Sequence, residues 1–72
     1  MTNYKNITSI YEDRGVDLED CTIYAVDDDW RAVEYGDMSI SVSAEFVERA
    51  MARAQVEGIT FAEAIDEEYE VA

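Results

Sequence analysis

The chain has 72 residues, 49% of them hydrophobic, and its eighteen Asp and Glu against five Lys and Arg give a formal net charge of −13. That length holds a single domain, residues 1–72, with a small core, and the apolar content excludes a disordered acidic tail. The surplus of acid disfavours direct binding to nucleic acid, which needs clustered cations, and favours a basic protein surface as partner, with solubility or a salt-rich habitat as the plainer explanation.

Residue types exclude most chemistry. There is no histidine, so there is no imidazole base. The lone Cys21 excludes an internal disulfide and a thiolate zinc site, and it reads as a small apolar core residue. No glycine-rich phosphate loop is present. Ser9, Ser39, Ser41 and Ser43 have no base of the usual kind near them in sequence. Asp27-Asp28-Asp29 lacks the spaced oxygen ligands and obligatory glycine of a helix–loop–helix calcium site. The expectation is a protein that is not an enzyme and takes no cofactor or metal. The Met1 end shows no basic region followed by an apolar run, and no stretch approaches the length of a membrane span. The chain therefore reads as cytoplasmic, without a membrane partner.

In chain order, Tyr4, Ile7, Ile10 and Tyr11 predict a first helix over 3–14, stopped by Gly15. The run Ile7-Thr8-Ser9-Ile10-Tyr11 is also compatible with a short strand. Val16 to Asp20 is a connector with Asp17, Glu19 and Asp20 exposed; alternation alone leaves the burial of Val16 and Leu18 open. Residues 21–42 predict a three-stranded antiparallel meander. Cys21 to Val26 is rich in β-branched and aromatic residues, and Asp27-Asp28-Asp29 is a polar loop of hairpin length. Trp30 to Tyr35 follows, with Trp30 and Ala32 on one face and Arg31, Val33 and Tyr35 on the other. Gly36-Asp37 forms a tight turn. In the last strand Met38, Ile40 and Val42 point in while Ser39 and Ser41 point out.

Two helices close the chain. Ser43 caps the first, with Glu45 in its opening turn. Phe46, Val47, Ala50, Met51 and Ala54 form its apolar face, and Glu45 pairs with Arg49 in the favourable i, i+4 order. Gly58 suits a left-handed helix end. Thr60 and Glu63 have capping-box spacing, in which Glu63 also reaches back to the Thr60 N–H. Phe61, Ile65 and Tyr69 share a face of the last helix, and Glu63, Asp66, Glu67 and Glu70 form a carboxylate stripe. At about 1.5 Å of rise per residue, that stripe approaches the charge spacing of a duplex, about one per 1.7 Å.

The fold expected is α+β, in the order α-β-β-β-α-α, with the meander packed on helices 44–57 and 60–70. The expected core is Ile23, Ala25, Trp30, Val33, Met38, Ile40, Val42, Phe46, Val47, Ala50, Met51, Ile59, Phe61 and Ile65. The candidate partner-binding residues are Asp27, Asp28, Asp29, Glu34, Asp37, Glu63, Asp66, Glu67 and Glu70. Each would accept from Lys or Arg, with Arg favoured for two-pronged geometry. Arg31, Arg49 and Arg53 read as steadying local acids.

Met38 to Ser43, Ala44 to Glu57, Gly58-Ile59-Thr60 and Phe61 to Tyr69 together resemble the ribbon-helix-helix module of bacterial repressors and antitoxins. Strand, helix, Gly-containing turn with a Ser or Thr cap, and second helix follow in the family's order over about half the chain. The departure is at the DNA-reading strand, where that family commonly carries basic or amide side chains and this sequence has Ser39 and Ser41 between Asp37 and Glu45. Two further strands also precede this one, on the edge such modules use to dimerise. By type, the small size, acidity, short sheet and lack of catalytic residues are similar to phage-encoded anti-CRISPR proteins and anti-restriction DNA mimics. Ile40 to Glu48, a strand running into an acidic helix, is reminiscent of some small anti-CRISPR proteins. That resemblance implies a Cas subunit or other DNA-binding defence protein as partner. The expected function is thus a monomeric, non-catalytic inhibitor acting as a DNA mimic in the host cytoplasm. The alternatives are a ribbon-helix-helix-like dimeric antitoxin or transcriptional regulator, and an acidic accessory domain without mimicry.

Overall fold

The structure, a computed structural model, describes residues 4–18 and 21–71. In chain order its elements are β1 (Lys5–Asn6), α1 (Thr8–Glu12), β2 (Thr22–Ala25), β3 (Trp30–Tyr35), β4 (Met38–Ser43), α2 (Ala44–Glu57) and α3 (Phe61–Val71). The strands form a four-stranded antiparallel sheet in the order β1-β2-β3-β4. This is a small α+β fold. Asn3, expected to begin the first helix, and Glu19 and Asp20, expected to be exposed, lie outside the described residues.

Alternation sets the two faces of the sheet. Register places Ile23 beside Val33 and Val33 beside Ile40 on the face that meets the helices. The other face carries Thr22, Glu34 and Ser39 in one row and Tyr24, Ala32 and Ser41 in the next. Gly36 takes φ 58°, which an L side chain rarely adopts, and so brings Tyr35 opposite Met38.

The helices follow their sequence signals. Phe46 N–H donates to Ser43 Oγ at 3.0 Å, which caps α2. Gly58 ends it in the left-handed region at φ 68°, with its N–H on the Ala54 carbonyl. Glu63 N–H donates to Thr60 Oγ1 at 3.2 Å, but the return half of the expected capping box differs: Glu63 Oε1 accepts from the Thr60 hydroxyl at 3.1 Å. The Phe61 N–H, one of the orphan donors at the start of α3, reaches the Asp17 carbonyl instead, at 2.9 Å. That bond ties the connector to the helix hairpin.

The N-terminal segment departs from expectation. The helix is confined to 8–12, and residues 5–6 add a fourth strand to the predicted meander. The cause is a side-chain relay that competes with helix formation. Asn6 Oδ1 accepts from both the N–H and the hydroxyl of Thr8, at 2.9 and 2.6 Å. Thr8 Oγ1 in turn accepts the Ile23 N–H at 2.9 Å, while Ile7 N–H donates to the Ile23 carbonyl.

The core joins the covered sheet face to α2 and α3. Phe61, Ile23, Met51, Ile65, Val33 and Val47 are its largest fully buried side chains. Val42, Phe46 and Ala50 are also buried, while Ala25, Ile40 and Ile59 pack against the core half-covered. Val16, Leu18 and Cys21 are buried, as are Ile7, Tyr11, Ala54 and Ala64. Two expected core residues are not. Trp30 is 50% and Met38 56% exposed. Trp30 shares the uncovered face with Ala32, and Met38 adjoins the hairpin turn.

Candidate protein-binding surface

The cations are distributed unevenly. Arg53 on α2 donates to Glu57, Glu67 and Glu68, and Arg49 to Glu45 and Glu68. Arg14, after α1, pairs with Glu48 at 2.7 Å and lies over the Tyr11 ring. These ion pairs staple the helices together. Arg31 makes no ion pair among the described residues; contrary to expectation, its Nη1 donates to the backbone carbonyls of Asp27 and Trp30. Its Nε is buried without a hydrogen-bond partner.

The predicted acids separate by what already holds them. Glu67 is half-buried and committed to Arg53 at 3.1 Å. Asp27 Oδ1 accepts from the N–H groups of Asp29 and Trp30, at 2.8 and 2.9 Å, and so shapes its own loop. Glu63 accepts from Thr60. The carboxylates of Asp28, Asp29, Glu34, Asp37, Asp66 and Glu70 are exposed and make no ion pair with any described cation.

These acids do not form one continuous patch. The 27–29 loop sits beside the start of α2, because Ala44 N–H donates to the Asp29 carbonyl at 2.8 Å. Asp37 lies at the opposite end of β3, roughly 20 Å away at the rise of a strand. Asp66, however, is close to that hairpin end. Burial first, then the charge of Asp66, raises the ionisation of Tyr35 above the ordinary phenol range. Asp66 therefore lies near Tyr35, in the strand that leads to the Asp37 turn. Glu70 is one turn further along α3, beside Tyr69, whose ring packs on Phe46 near the start of α2. Glu34 points from the uncovered sheet face.

Comparison with protein-family models, curated proteins and solved structures finds no match to this chain.

Sequence reasoning passed over Glu68. It is only 7% exposed and sits between Arg49 and Arg53. Its signal was its spacing: Glu68 falls three residues after Ile65 and seven after Phe61, on the apolar stripe. Among the described residues, no group of three or more acids and cysteines could hold a metal ion. No described helix is long and apolar enough to cross a membrane.

Proposed function

We propose that this protein is a non-catalytic, cytoplasmic inhibitor that binds the basic, nucleic-acid-binding surface of another protein, presenting carboxylates where phosphates would lie. Anti-CRISPR-type inhibition of a Cas effector or another DNA-binding defence protein is the form of this function that the sequence resemblance favours. The observation that carries the reading is the segregation of charge. Arg14, Arg49 and Arg53 are all spent on the helices, which leaves the exposed Asp37, Asp66 and Glu70 without an ion pair among the described residues. Holding like charges together costs a small domain stability, and a basic partner would relieve that cost. Such a partner would be drawn in by complementary potential and bound in a salt-dependent way.

The test is capture on immobilised protein from a lysate of cells carrying CRISPR and restriction systems, followed by elution with short duplex DNA. Recovery of a DNA-binding protein that duplex DNA displaces supports the proposal. A partner that neither DNA nor salt displaces overturns it, as does submicromolar binding of duplex DNA by the protein itself. A dimer that binds DNA would support the ribbon-helix-helix-like regulator instead.

A further inference from the structure

The two edges of the sheet are finished differently. Among the described residues β1 offers a two-residue edge, which the Asn6–Thr8 relay terminates. β4 is six residues long, lies at the end of the sheet, and contains no proline or lysine. Short edges, proline and lysine are the usual protections of an edge strand. Antiparallel pairs alternate between bonded and non-bonded registers. The bond from Ala44 N–H to the Asp29 carbonyl fixes the phase, so that residues 38, 40 and 42 turn their amides to β3. The backbone groups of Ser39 and Ser41 consequently face away from the sheet, and no described residue bonds to them. Both serines are exposed and small, which leaves the edge sterically open.

We infer that the open edge of β4 accepts an extended, basic peptide segment as an added strand. The inference rests on the proposed basic partner and specifies how it would be held: main-chain bonds to Ser39 and Ser41 give the pairing, and the acids at the strand's two ends select the charge. Asp37 stands at one end, and Asp29 and Glu45 at the other. β4 itself carries no cation. A second copy is the wrong occupant. Antiparallel pairing of two β4 edges would set Asp37 of one chain beside Asp29 and Glu45 of the other, between molecules that each carry a net charge of −13. A segment with Lys or Arg at alternate positions meets the same ends with opposite charge.

The experiment uses a short peptide alternating Lys and Thr, acetylated and amidated and long enough to span β4. Its twin is N-methylated at alternate residues, which keeps every charge but removes the N–H groups that would pair with β4. Amide NMR and hydrogen exchange on the full chain are the readouts. The expected result is that Ser39 and Ser41 amides gain protection with the first peptide. The twin should bind about tenfold more weakly or worse, the effect of lost main-chain bonds. Ser41→Pro should weaken binding similarly with little change in melting temperature, because its N–H serves no ladder bond. If Ser41→Pro does not fold, the peptide pair still decides. Equal binding of the two peptides, or shifts confined to the Asp66–Glu70 side of α3, overturns the edge and leaves the acidic-surface proposal standing. Binding of neither peptide also overturns the edge, while displacement of a captured partner by DNA judges that proposal separately. Concentration-dependent dimerisation with protected Ser39 and Ser41 amides overturns the choice of occupant.

Discussion

Arg53 on α2 donates through Nε to Oε2 of Glu68 on α3 at 2.8 Å, and the acceptor side chain is only 9% exposed. Arg49 Nε reaches the other oxygen at 3.3 Å. A carboxylate buried between helices would be costly alone; paired with two guanidinium groups it fixes the register of the α2–α3 hairpin. The bond from Arg53 is the main cause that holds the Glu68 carboxyl below the usual carboxylate range, against the opposing effect of burial.

Glu68→Gln should therefore lower stability at neutral pH by about 2 kcal/mol, the scale of hydrogen bonds to charged groups. A depressed folded-state pKa contributes stability that is present above the unfolded value and lost as pH falls through the folded one. The gap between wild type and variant should thus shrink below about pH 4. Protonating the surplus acids relieves repulsion in both proteins, so the difference between them isolates Glu68. Urea denaturation at neutral and acidic pH measures it, and a gap that stays constant with pH would discount the ion pair.

Thr60→Ala should cost about 1 kcal/mol, the usual loss for an N-cap. Its hydroxyl oxygen accepts the Glu63 N–H, and its hydroxyl also donates to the Glu63 carboxylate. The Phe61 bond to Asp17 survives the change, so α3 should shorten by no more than its first turn. An unchanged denaturation midpoint would place the cap elsewhere.

Period and punctuation made the second half of the chain legible. Met38 to Ser43 alternates, Ser43 and Thr60 open helices, and Gly36 and Gly58 take the conformations that favour glycine. The first half was harder because its structure depends on partners distant in sequence. Thr8 meets Ile23 across the sheet, so a side-chain relay overrides the helical spacing of Tyr4, Ile7, Ile10 and Tyr11. Ile7 and Tyr11 are buried nonetheless, while Tyr4 and Ile10 are exposed. The acidic stripe was legible as a pattern, but not in its partition. That Glu67 belongs to Arg53 while Asp66 pairs with no described cation follows from how α2 meets α3, not from the spacing of α3 alone.

Trp30 and Phe61 give a direct contrast in burial. Trp30 is half-exposed on the uncovered face, whereas Phe61 is fully buried. Phe61→Ala should cost about 3–5 kcal/mol and leave the domain largely unfolded. Trp30→Ala should cost less than about 1 kcal/mol, as for a surface position. Chemical denaturation of the two variants checks the pair, and comparable losses would mean that the outer sheet face is covered in solution.

The last prediction concerns Asp66 and Glu70. Reversing both, Asp66→Lys with Glu70→Lys, should abolish partner binding and preserve the fold. The two residues are exposed, four apart, and share one helix face. The buried stripe of α3 is formed by Phe61, Ala64, Ile65 and Glu68, so the exchange leaves the core untouched. Stability should hold or rise slightly as repulsion among the surplus carboxylates falls. In the complex, attractive pairs become repulsive, and like charges across an interface cost several kcal/mol. A matched change at Asp28 and Asp29 asks whether the loop at the other end of the sheet contributes. Asp27 is left alone there because its carboxylate holds the loop together. Circular dichroism and melting curves establish folding, and binding to the captured partner is measured across a salt series. A folded Asp66/Glu70 variant that still binds at wild-type strength would remove α3 from the site. If loop reversal and salt are also without effect, recognition does not depend on charge and the mimicry proposal fails.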